Sequence, residues 1–253
     1  MSCCKDNKNR IYFAKDAFVN HLLPFFLKQN RIIFASTMNI FDFQNRLKNA
    51  LTAELPAWNA HSRLAPKERL ESLRPINWPK DAKQSAVLVV LFVENEQVHV
   101  LFILRSIYDG AHSGQISFPG GQKEEHDLDL MSTALRECGE EIGLYLSPSQ
   151  VLGKLSELYI PPSNFLVSPF VAFIENMEQL QLDSNEVQEV FQVPISALLN
   201  QDNFQIRAVI SRGNRTLSAP CFYLENKIIW GATAMILNEL LTVIETNNLL
   251  EIV

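Results

Sequence analysis

The sequence has no long apolar run. Its longest run, residues 86–93, has eight residues and is predicted to be a buried strand; near the amino terminus the longest, residues 22–27, has six and contains Pro24. A secretory signal requires an apolar core of roughly 7–15 residues close to the amino terminus, and a membrane helix requires about 20. We therefore expect no secretory signal, no membrane-spanning helix and no membrane partner.

Cysteine is scarce as well. The chain has four cysteines, at Cys3, Cys4, Cys138 and Cys221. Their spacing fits no metal-binding motif, and four are too few for a disulfide scaffold. This composition is typical of a reducing compartment, so we expect a cytoplasmic protein.

The sequence also lacks an excess of positive charge. Lys and Arg total 22 against 28 for Asp and Glu, giving a net charge of −6. A negative protein has no general attraction for phosphate backbones, so we do not expect nucleic acid as a partner. The charge is unevenly distributed, because residues 1–37 carry +4 and the remainder carries −10.

The basic, aromatic-rich segment 1–37 precedes Met38. We interpret it as a leader that is either disordered or not translated, with Met38 as the start of the native protein and residues 38–253 as the domain. The alternative is an additional helix packed on the body.

Enough apolar residues are present for a sizeable core. The chain is 47% hydrophobic and 20% charged, which excludes disorder over most of its length. Periodicity and turn residues predict helices at 39–55, 66–73, 129–142 and 231–246, and strands at 85–93, 97–104, 151–160, 166–174, 188–193, 205–211 and 220–229. This order predicts an α/β (α+β) sandwich in one domain, since no repeat or linker divides it.

Acidic residues cluster on the predicted helix 129–142. Glu137, Glu140 and Glu141 stand at i, i+3 and i+4 and so share a face. Their mutual repulsion favours a bound cation, and hard oxygen ligands favour Mg²⁺ or Mn²⁺. Arg136 precedes Glu140 by four residues and is expected to pair with it. Ordinary solvated helix charges are the alternative interpretation.

Glycines surround this helix. Gly120 and Gly121 allow a sharp turn and a close approach of backbone to a ligand, and Gly143 follows the last helical residue. Gly139 lies within the helix, where glycine costs about 1 kcal/mol relative to alanine. Several unusual residues at fixed offsets favour a ligand site over a solvated helix.

The segment resembles the Nudix box, in which a glycine precedes a loop, an acidic residue and a helix with Arg-Glu-hydrophobic-x-Glu-Glu-x-Gly-hydrophobic. Here the glycine is Gly121, the acidic residue is Asp127 instead of Glu, and Arg136 comes one residue later than in the general pattern. Further segments resemble the coenzyme A (CoA) pyrophosphatase branch of that family: residues 60–66 with Arg69, 104–106, 112, 114–121, 134–137, 161–165, 186–187 with 193–194, and 230–237.

This resemblance implies a Nudix α/β/α sandwich with a central mixed sheet. It implies metal-dependent hydrolysis of the diphosphate of CoA, a small-molecule nucleotide substrate, to 3′,5′-ADP and 4′-phosphopantetheine. It places metal binding on Glu137 and Glu141, with Glu140 beside them. Glu186 and Glu189 are candidate general bases, with exposed loop acids as the alternative.

Candidate substrate contacts lie upstream of the helix. Arg105 follows a strand and is either a phosphate ligand or half of a structural ion pair. His112 is either a substrate contact or a hydrogen-bonding loop residue. Gly120 and Gly121 complete the predicted substrate-binding set.

Two other functions remain open at this stage. Asp109-Gly110 replaces a Leu-Arg pair found in many relatives, which removes an expected cationic contact to the 3′-phosphate and favours ADP-ribose or another nucleoside diphosphate derivative. The second is a noncatalytic Nudix-like sensor. A sensor has no need of three repelling carboxylates, so Glu137, Glu140 and Glu141 argue against it.

Overall fold

A long antiparallel hairpin lies at the centre of the fold in the computed structural model, which describes residues 39–106, 114–175, 177, 179–211 and 215–250. Strand β1 spans Lys83–Glu94 and β2 spans Gln97–Arg105. Asn95 and Glu96 join them with φ angles of 49° and 62°, the left-handed geometry of tight hairpin turns. The predicted hairpin is confirmed, and both strands are slightly longer than predicted.

Further strands extend the hairpin into an eight-stranded mixed sheet. They are β3 (Ile116–Ser117), β4 (Gly120–Gln122), β5 (Val151–Lys154), β6 (Leu158–Ile160), β7 (Phe165–Ile174) and β8 (Val187–Pro194). The main path is β3-β2-β1-β7-β5, and β4, β6 and β8 pair with β1, β7 and β2. β1 and β7 are parallel, whereas the other pairs are antiparallel.

Both faces of the sheet are covered. Val89 and Leu91 point into one core, and Leu88 and Val90 into another, because alternate residues of a strand face opposite sides. The helices are α1 (Ile40–Ala50), α2 (Ala57–Leu64), α3 (Leu130–Ile142), α4 (Ile195–Leu199) and α5 (Gly231–Thr246). The first core includes α1, α2 and α5, and the second includes α3. The predicted α/β/α sandwich with a central mixed sheet is confirmed.

A smaller antiparallel sheet precedes the last helix. It consists of β9 (Phe204–Ser211), β10 (Arg215–Leu224) and β11 (Lys227–Trp230), with β10 in the middle. β11 runs directly into α5, and the Thr233 hydroxyl in the first turn of α5 donates to the Ile116 carbonyl at 3.0 Å. The start of α5 is thereby held against β3.

The helix that carries the acidic cluster is close to its predicted bounds. The Asp129 carboxylate caps it by accepting a 2.7 Å hydrogen bond from the Ser132 N–H. At the other end Gly143 takes a left-handed conformation with φ 74°, as a C-terminal glycine does.

The amino-terminal helices differ from the prediction. The helix predicted at 39–55 ends at Ala50, and α2 was not predicted. Only a 3₁₀ turn, Lys67–Arg69, forms within the predicted helix 66–73. Residue 57 takes a φ of 42°, so the chain turns after Pro56 and begins a separate helix.

Two predicted strands are each divided. The strand predicted at 151–160 breaks after β5, where the Leu155 N–H donates to the Pro169 carbonyl at 2.9 Å. The strand predicted at 220–229 becomes β10 and β11, with Glu225 and Asn226 forming a turn at positive φ. Three polar residues, Glu225, Asn226 and Lys227, interrupt the apolar pattern at the second break and were the available sequence signal for it.

Residues 1–37, the Asp109-Gly110 pair and His112 lie outside the described residues. Within the described ranges, no helix has both the length and the apolar character needed to cross a membrane.

Candidate active site

Strand β4 brings Gly120 and Gly121 against β1. Val87 lies opposite Gly120 and Ala86 lies opposite Gly121. Gly120 has a φ of 153°, and a Cβ there would overlap the Ala86 carbonyl oxygen. Only glycine fits this position, because any side chain would separate the two strands.

Glu141 on α3 is the most buried of the three predicted carboxylates, at 1% exposure. Its two oxygens accept hydrogen bonds of 2.9 Å, one from the Gly120 N–H and one from Arg105 Nη1. Burial raises the pKa of Glu141 to about 7; Arg105 and the Gly120 N–H oppose this effect, and Glu137 and Glu186 add to it. The arrangement therefore holds a buried carboxylate whose negative charge is incompletely balanced.

Glu137 lies one helical turn before Glu141 and borders Gly121. A Cβ at position 121 would overlap the Glu137 carboxylate. The side chain of Glu137 is 14% exposed, and its Oε1 lies 3.0 Å from Arg136 Nη1. Burial raises the pKa of Glu137 against the opposing effect of Arg136, and neighbouring carboxylates raise it further. The second glycine thus provides the space in which this carboxylate lies.

Glu140 has a different environment. Its side chain is 59% exposed, and it accepts a 2.7 Å hydrogen bond from Arg136 Nη1. The predicted pairing of Arg136 with Glu140 is confirmed. The sheet covers Glu141 and much of Glu137 but leaves Glu140 largely in solvent, so helical spacing alone did not show how unequal the three positions are.

The principal partner of Arg136 is Asp127. The sequence predicted Asp127 as the acidic residue of the Nudix-like pattern but did not predict this ion pair. Arg136 Nε and Nη2 donate to the two Asp127 oxygens at 2.9 and 3.0 Å. Asp127 also accepts from the Thr133 hydroxyl at 3.0 Å and the Glu124 N–H at 2.9 Å. Arg136 is the main cause that holds the pKa of Asp127 well below its usual range. This pair fastens the loop after β4 to α3; the available signal was the acidic position of the Nudix-like pattern.

Arg105 forms the ion pair with Glu141 that the sequence left as an alternative to phosphate binding. Its Nη2 also lies 3.9 Å from Glu186 Oε2. Glu189, the other candidate base, is held by Lys227 Nζ at 2.8 and 2.9 Å. The geometry therefore brings Glu186, and not Glu189, to the Arg105–Glu141 pair.

A cavity of about 250 Å³ opens beside these groups. Arg105, Gly120 and Gly121 line it, together with Ser117 of β3 and Thr233 of α5. Since Glu137 and Glu141 contact the two glycines, the cavity adjoins the acidic residues of α3. A substrate in this cavity would meet a guanidinium, two glycine backbones and the edge of the carboxylate pair.

The donor chemistry fits a divalent cation. Within the described ranges, no group of three or more His, Cys, Asp and Glu side chains is arranged as a metal shell. Mg²⁺ typically takes only one or two protein carboxylates and completes its shell with water and substrate phosphate. Glu137 and Glu141 supply two, and burial, which raises the pKa of both, disfavours their charged forms unless a cation lies close to them.

Comparison with known proteins identifies the family of the chain. The family model of the NUDIX domain matches residues 82–212. Nudix hydrolases generally use divalent metal ions, which is consistent with the carboxylate pair.

Curated relatives carry the same family name. A protein called uncharacterized Nudix hydrolase NudL from Salmonella dublin is 33% identical over 178 residues, covering 68% of this chain and 89% of that protein. A protein of the same name from Photorhabdus laumondii is 30% identical over 160 residues, covering 63% of this chain and 84% of that protein. A crystal structure of a MutT/nudix family protein from Enterococcus faecalis aligns with a TM-score of 0.48 at 18% identity, over 84% of this chain and 76% of that one. The chain belongs to the Nudix family and is an enzyme of the hydrolase type.

Proposed function

We propose that the protein hydrolyses the diphosphate bond of CoA or its thioesters, producing 3′,5′-ADP and 4′-phosphopantetheine or its acyl derivative. The observation that carries this proposal is the position of residues 114–121, the segment that resembles CoA pyrophosphatases. Four of its residues, Ser117, Phe118, Gly120 and Gly121, line the cavity next to Glu137 and Glu141. The residues typical of that branch therefore adjoin the acidic residues suited to the chemistry.

Glu137 and Glu141 would hold Mg²⁺ or Mn²⁺, with Glu140 beside them. When bound, the cation supplies neutralisation of charge on the phosphate oxygens and a lowered pKa for a bound water. The Gly120 N–H and Arg105 orient the Glu141 carboxylate, and Arg136 orients that of Glu137.

Glu186 is the proposed general base. Its carboxylate is half-exposed and 3.9 Å from Arg105 Nη2, and it acts electrostatically on both Glu137 and Glu141. In the reaction water attacks one phosphorus of the diphosphate and the P–O bond from that phosphorus to the bridging oxygen breaks. The other phosphate leaves with the bridging oxygen and the bonding electron pair, and Glu186 accepts the proton of the attacking water. Glu189 is less suited to this role, since Lys227 already engages both of its oxygens.

Arg105, Gly120 and Gly121 form the proposed contact surface for the diphosphate. All three line the cavity, and a glycine backbone allows phosphate to approach closely. His112 stays a predicted substrate contact from sequence alone.

A substrate panel tests the proposal. The protein is incubated with Mg²⁺ and, separately, with CoA, an acyl-CoA, ADP-ribose and NADH, and the products are separated by chromatography. We expect 3′,5′-ADP from CoA and from the acyl-CoA. Cleavage of ADP-ribose without release of 3′,5′-ADP from CoA would overturn the proposal and favour the alternative that the Asp109-Gly110 substitution supports. Saturable binding without turnover of any compound would identify a noncatalytic sensor.

A charge-removing substitution tests the metal assignment. Glu137→Gln should reduce turnover by roughly 100-fold or more, because the ion's contribution is worth several kcal/mol and each 1.36 kcal/mol is about tenfold. Glu125→Gln removes a carboxylate from the exposed loop after β4 and should leave turnover unchanged. Rates over a series of Mg²⁺ concentrations, with circular dichroism to check folding, measure both variants. Near-native activity of Glu137→Gln would mean that the metal is held elsewhere.

A further inference from the structure

A second, smaller cavity adjoins the proposed diphosphate site. It has a volume of about 60 Å³ and shares Ser117 and Thr233 with the larger cavity. A water molecule needs at least about 10–15 Å³ on the same measure, so the cavity has room for a few waters or one compact group. Arg69 and the first residues of α5 also line it.

The amino terminus of α5 opens into this cavity. Gly231, Ala232 and Thr233 all belong to its lining. The residue before the helix, Trp230, makes no side-chain capping hydrogen bond. The first backbone N–H groups of a helix have no partner within the helix and carry its positive dipole end, so an uncapped terminus of this kind attracts an anion.

Arg69 supplies a full positive charge to the same cavity. Its guanidinium makes no hydrogen bond or ion pair within the part of the chain that the structure describes, and burial lowers its pKa. None of the cavity-lining residues in the described part of the chain is acidic. A partly desolvated guanidinium without a carboxylate partner is well suited to grip two oxygens of an anion.

The Ser117 hydroxyl is an independent sign of a ligand. Its oxygen is buried and has no hydrogen-bond partner among the described residues. Leaving such a group unsatisfied costs about 1–3 kcal/mol, so buried hydroxyls are nearly always paired. Ser117 lines both cavities, and rotation of its side chain about the Cα–Cβ bond would turn the hydroxyl from its buried position toward a phosphate oxygen in the smaller one.

We propose that this smaller cavity binds a phosphate monoester of the substrate while the diphosphate occupies the larger one. Arg69, the Ser117 hydroxyl and the backbone N–H groups of the first turn of α5 would hold its oxygens. The proposal rests on the proposed function and deepens it: CoA carries such a phosphate on its ribose and ADP-ribose carries none. The Asp109-Gly110 pair, which replaces Leu-Arg, has no cationic side chain to contact this phosphate. Arg69 would then provide that contact.

Binding of product fragments tests this without catalysis. Isothermal titration calorimetry in EDTA compares 3′,5′-ADP with 5′-AMP, which differ only by the second monoester. The native protein should bind 3′,5′-ADP about 10-fold to 100-fold more tightly, as expected for hydrogen bonds to a charged group. Arg69→Gln should abolish most of this preference, and Ser117→Ala should reduce it. Arg63→Gln, which changes an exposed arginine on α2, should leave it unchanged.

The outcomes separate this proposal from the proposed function. Equal affinities of the native protein for the two nucleotides would overturn the monoester site, whether or not CoA is hydrolysed. So would a preference that survives in both Arg69→Gln and Ser117→Ala. Kinetics give a second measure: Arg69→Gln should raise KM for CoA with little effect on KM for 3′-dephospho-CoA. Hydrolysis of neither compound, together with an Arg69-dependent preference for 3′,5′-ADP, would refute the proposed reaction and leave the binding site supported.

Discussion

Two glycines, Gly121 beside α3 and Gly139 within it, differ in which atoms a side chain at each position would meet. At Gly121 a Cβ would overlap the Glu137 carboxylate. At Gly139, within the helix, a Cβ would come within 2.6 Å of the Tyr145 ring, and that ring is 80% exposed. An exposed ring can move aside at small cost, whereas a carboxylate held by Arg136 cannot move without changing the site.

Alanine should therefore impair catalysis at position 121 but not at position 139. Gly121→Ala displaces Glu137 and should reduce turnover at least tenfold. Gly139→Ala should leave turnover within twofold and stabilise the protein by up to about 1 kcal/mol, because alanine is the better helix former. Initial rates and urea unfolding measure the two effects. Full activity in Gly121→Ala would show that the position of Glu137 does not limit the reaction.

The sequence predicted which residues of α3 are acidic and share a face, but not how deeply each is buried or which of them pairs with a distant residue. Helical spacing was sufficient for the Arg136–Glu140 pair, since both residues lie on one helix. The Arg136–Asp127 pair depends on how the loop folds back on α3, and no local pattern contains that information. Likewise Glu140 and Glu141 are adjacent in sequence, and only packing against the sheet decides that Glu141 is the buried one.

Helices α2 and α5 are joined by a buried histidine–glutamate hydrogen bond outside the candidate site. His61 Nε2 lies 3.0 Å from Glu239 Oε2, and both residues are almost fully buried. The Glu239 carboxylate also accepts 3.0 Å hydrogen bonds from the N–H groups of Ala57 and Ser156. Burial acts to raise the pKa of Glu239, but His61 and the hydrogen bonds from Ser156 outweigh it and the pKa is lowered. One carboxylate thus links two helices and the β5–β6 connection.

Replacing this carboxylate should destabilise the whole contact between the helices. In Glu239→Gln an amide NH₂ must face one of the buried donors, so we expect a loss of about 3–5 kcal/mol at neutral pH. Because the folded-state pKa of Glu239 is depressed, its stabilisation is present above the ordinary glutamate range and lost as pH falls through the lowered pKa. Urea unfolding should show the difference from the native protein shrinking in acid.

Another glutamate on α5 provides the control for this substitution. Glu245→Gln changes an exposed residue and should alter the free energy of unfolding by less than about 0.5 kcal/mol. A pH-independent difference between native protein and Glu239→Gln would contradict the assignment of the stabilisation to the charged carboxylate.

Elements with strong periodicity and clear ends were predicted well. α5 has its predicted bounds, and α3 has an Asp cap and a terminal glycine that the sequence displays. α2 was missed because its eight residues are too short for apolar periodicity to stand out and it begins directly after Pro56. The buried role of Glu239 was invisible for another reason: a lone acid in an apolar helix gives no sign of its partner.

At the scale of the whole molecule, the sandwich follows from the central strand. Residues 86–93 are apolar without alternation, as expected of a strand buried on both faces, and such a strand needs helices on each side. The smaller sheet β9–β11 was predicted only as separate strands. Its placement, which holds the start of α5 against β3, arises from contacts between distant segments and not from any local pattern.

The negative charge of the body gives the metal a stabilising role. Residues after 37 carry −10, and the buried Glu137 and Glu141 repel one another before a cation binds. An ion that binds only the folded state at 100 times its Kd adds about 2.7 kcal/mol. For a protein of this size that corresponds to a rise in Tm of about 5–10 °C. Thermal unfolding monitored by circular dichroism, in EDTA and over a Mg²⁺ series, should show this rise.

The same experiment identifies where the stabilising ion binds. Without the two carboxylates, Glu137→Gln/Glu141→Gln should have little or no Mg²⁺-dependent rise in Tm. Its Tm in EDTA should be lower than that of the native protein, because the amide at 141 breaks the buried contacts with Arg105 and the Gly120 N–H, so the rise on adding Mg²⁺ is compared and not the Tm itself. Glu125→Gln should respond to Mg²⁺ as the native protein does. An equal Mg²⁺ effect in the double variant would assign the ion to the general acidic surface, since screening of dispersed charge does not depend on two particular residues.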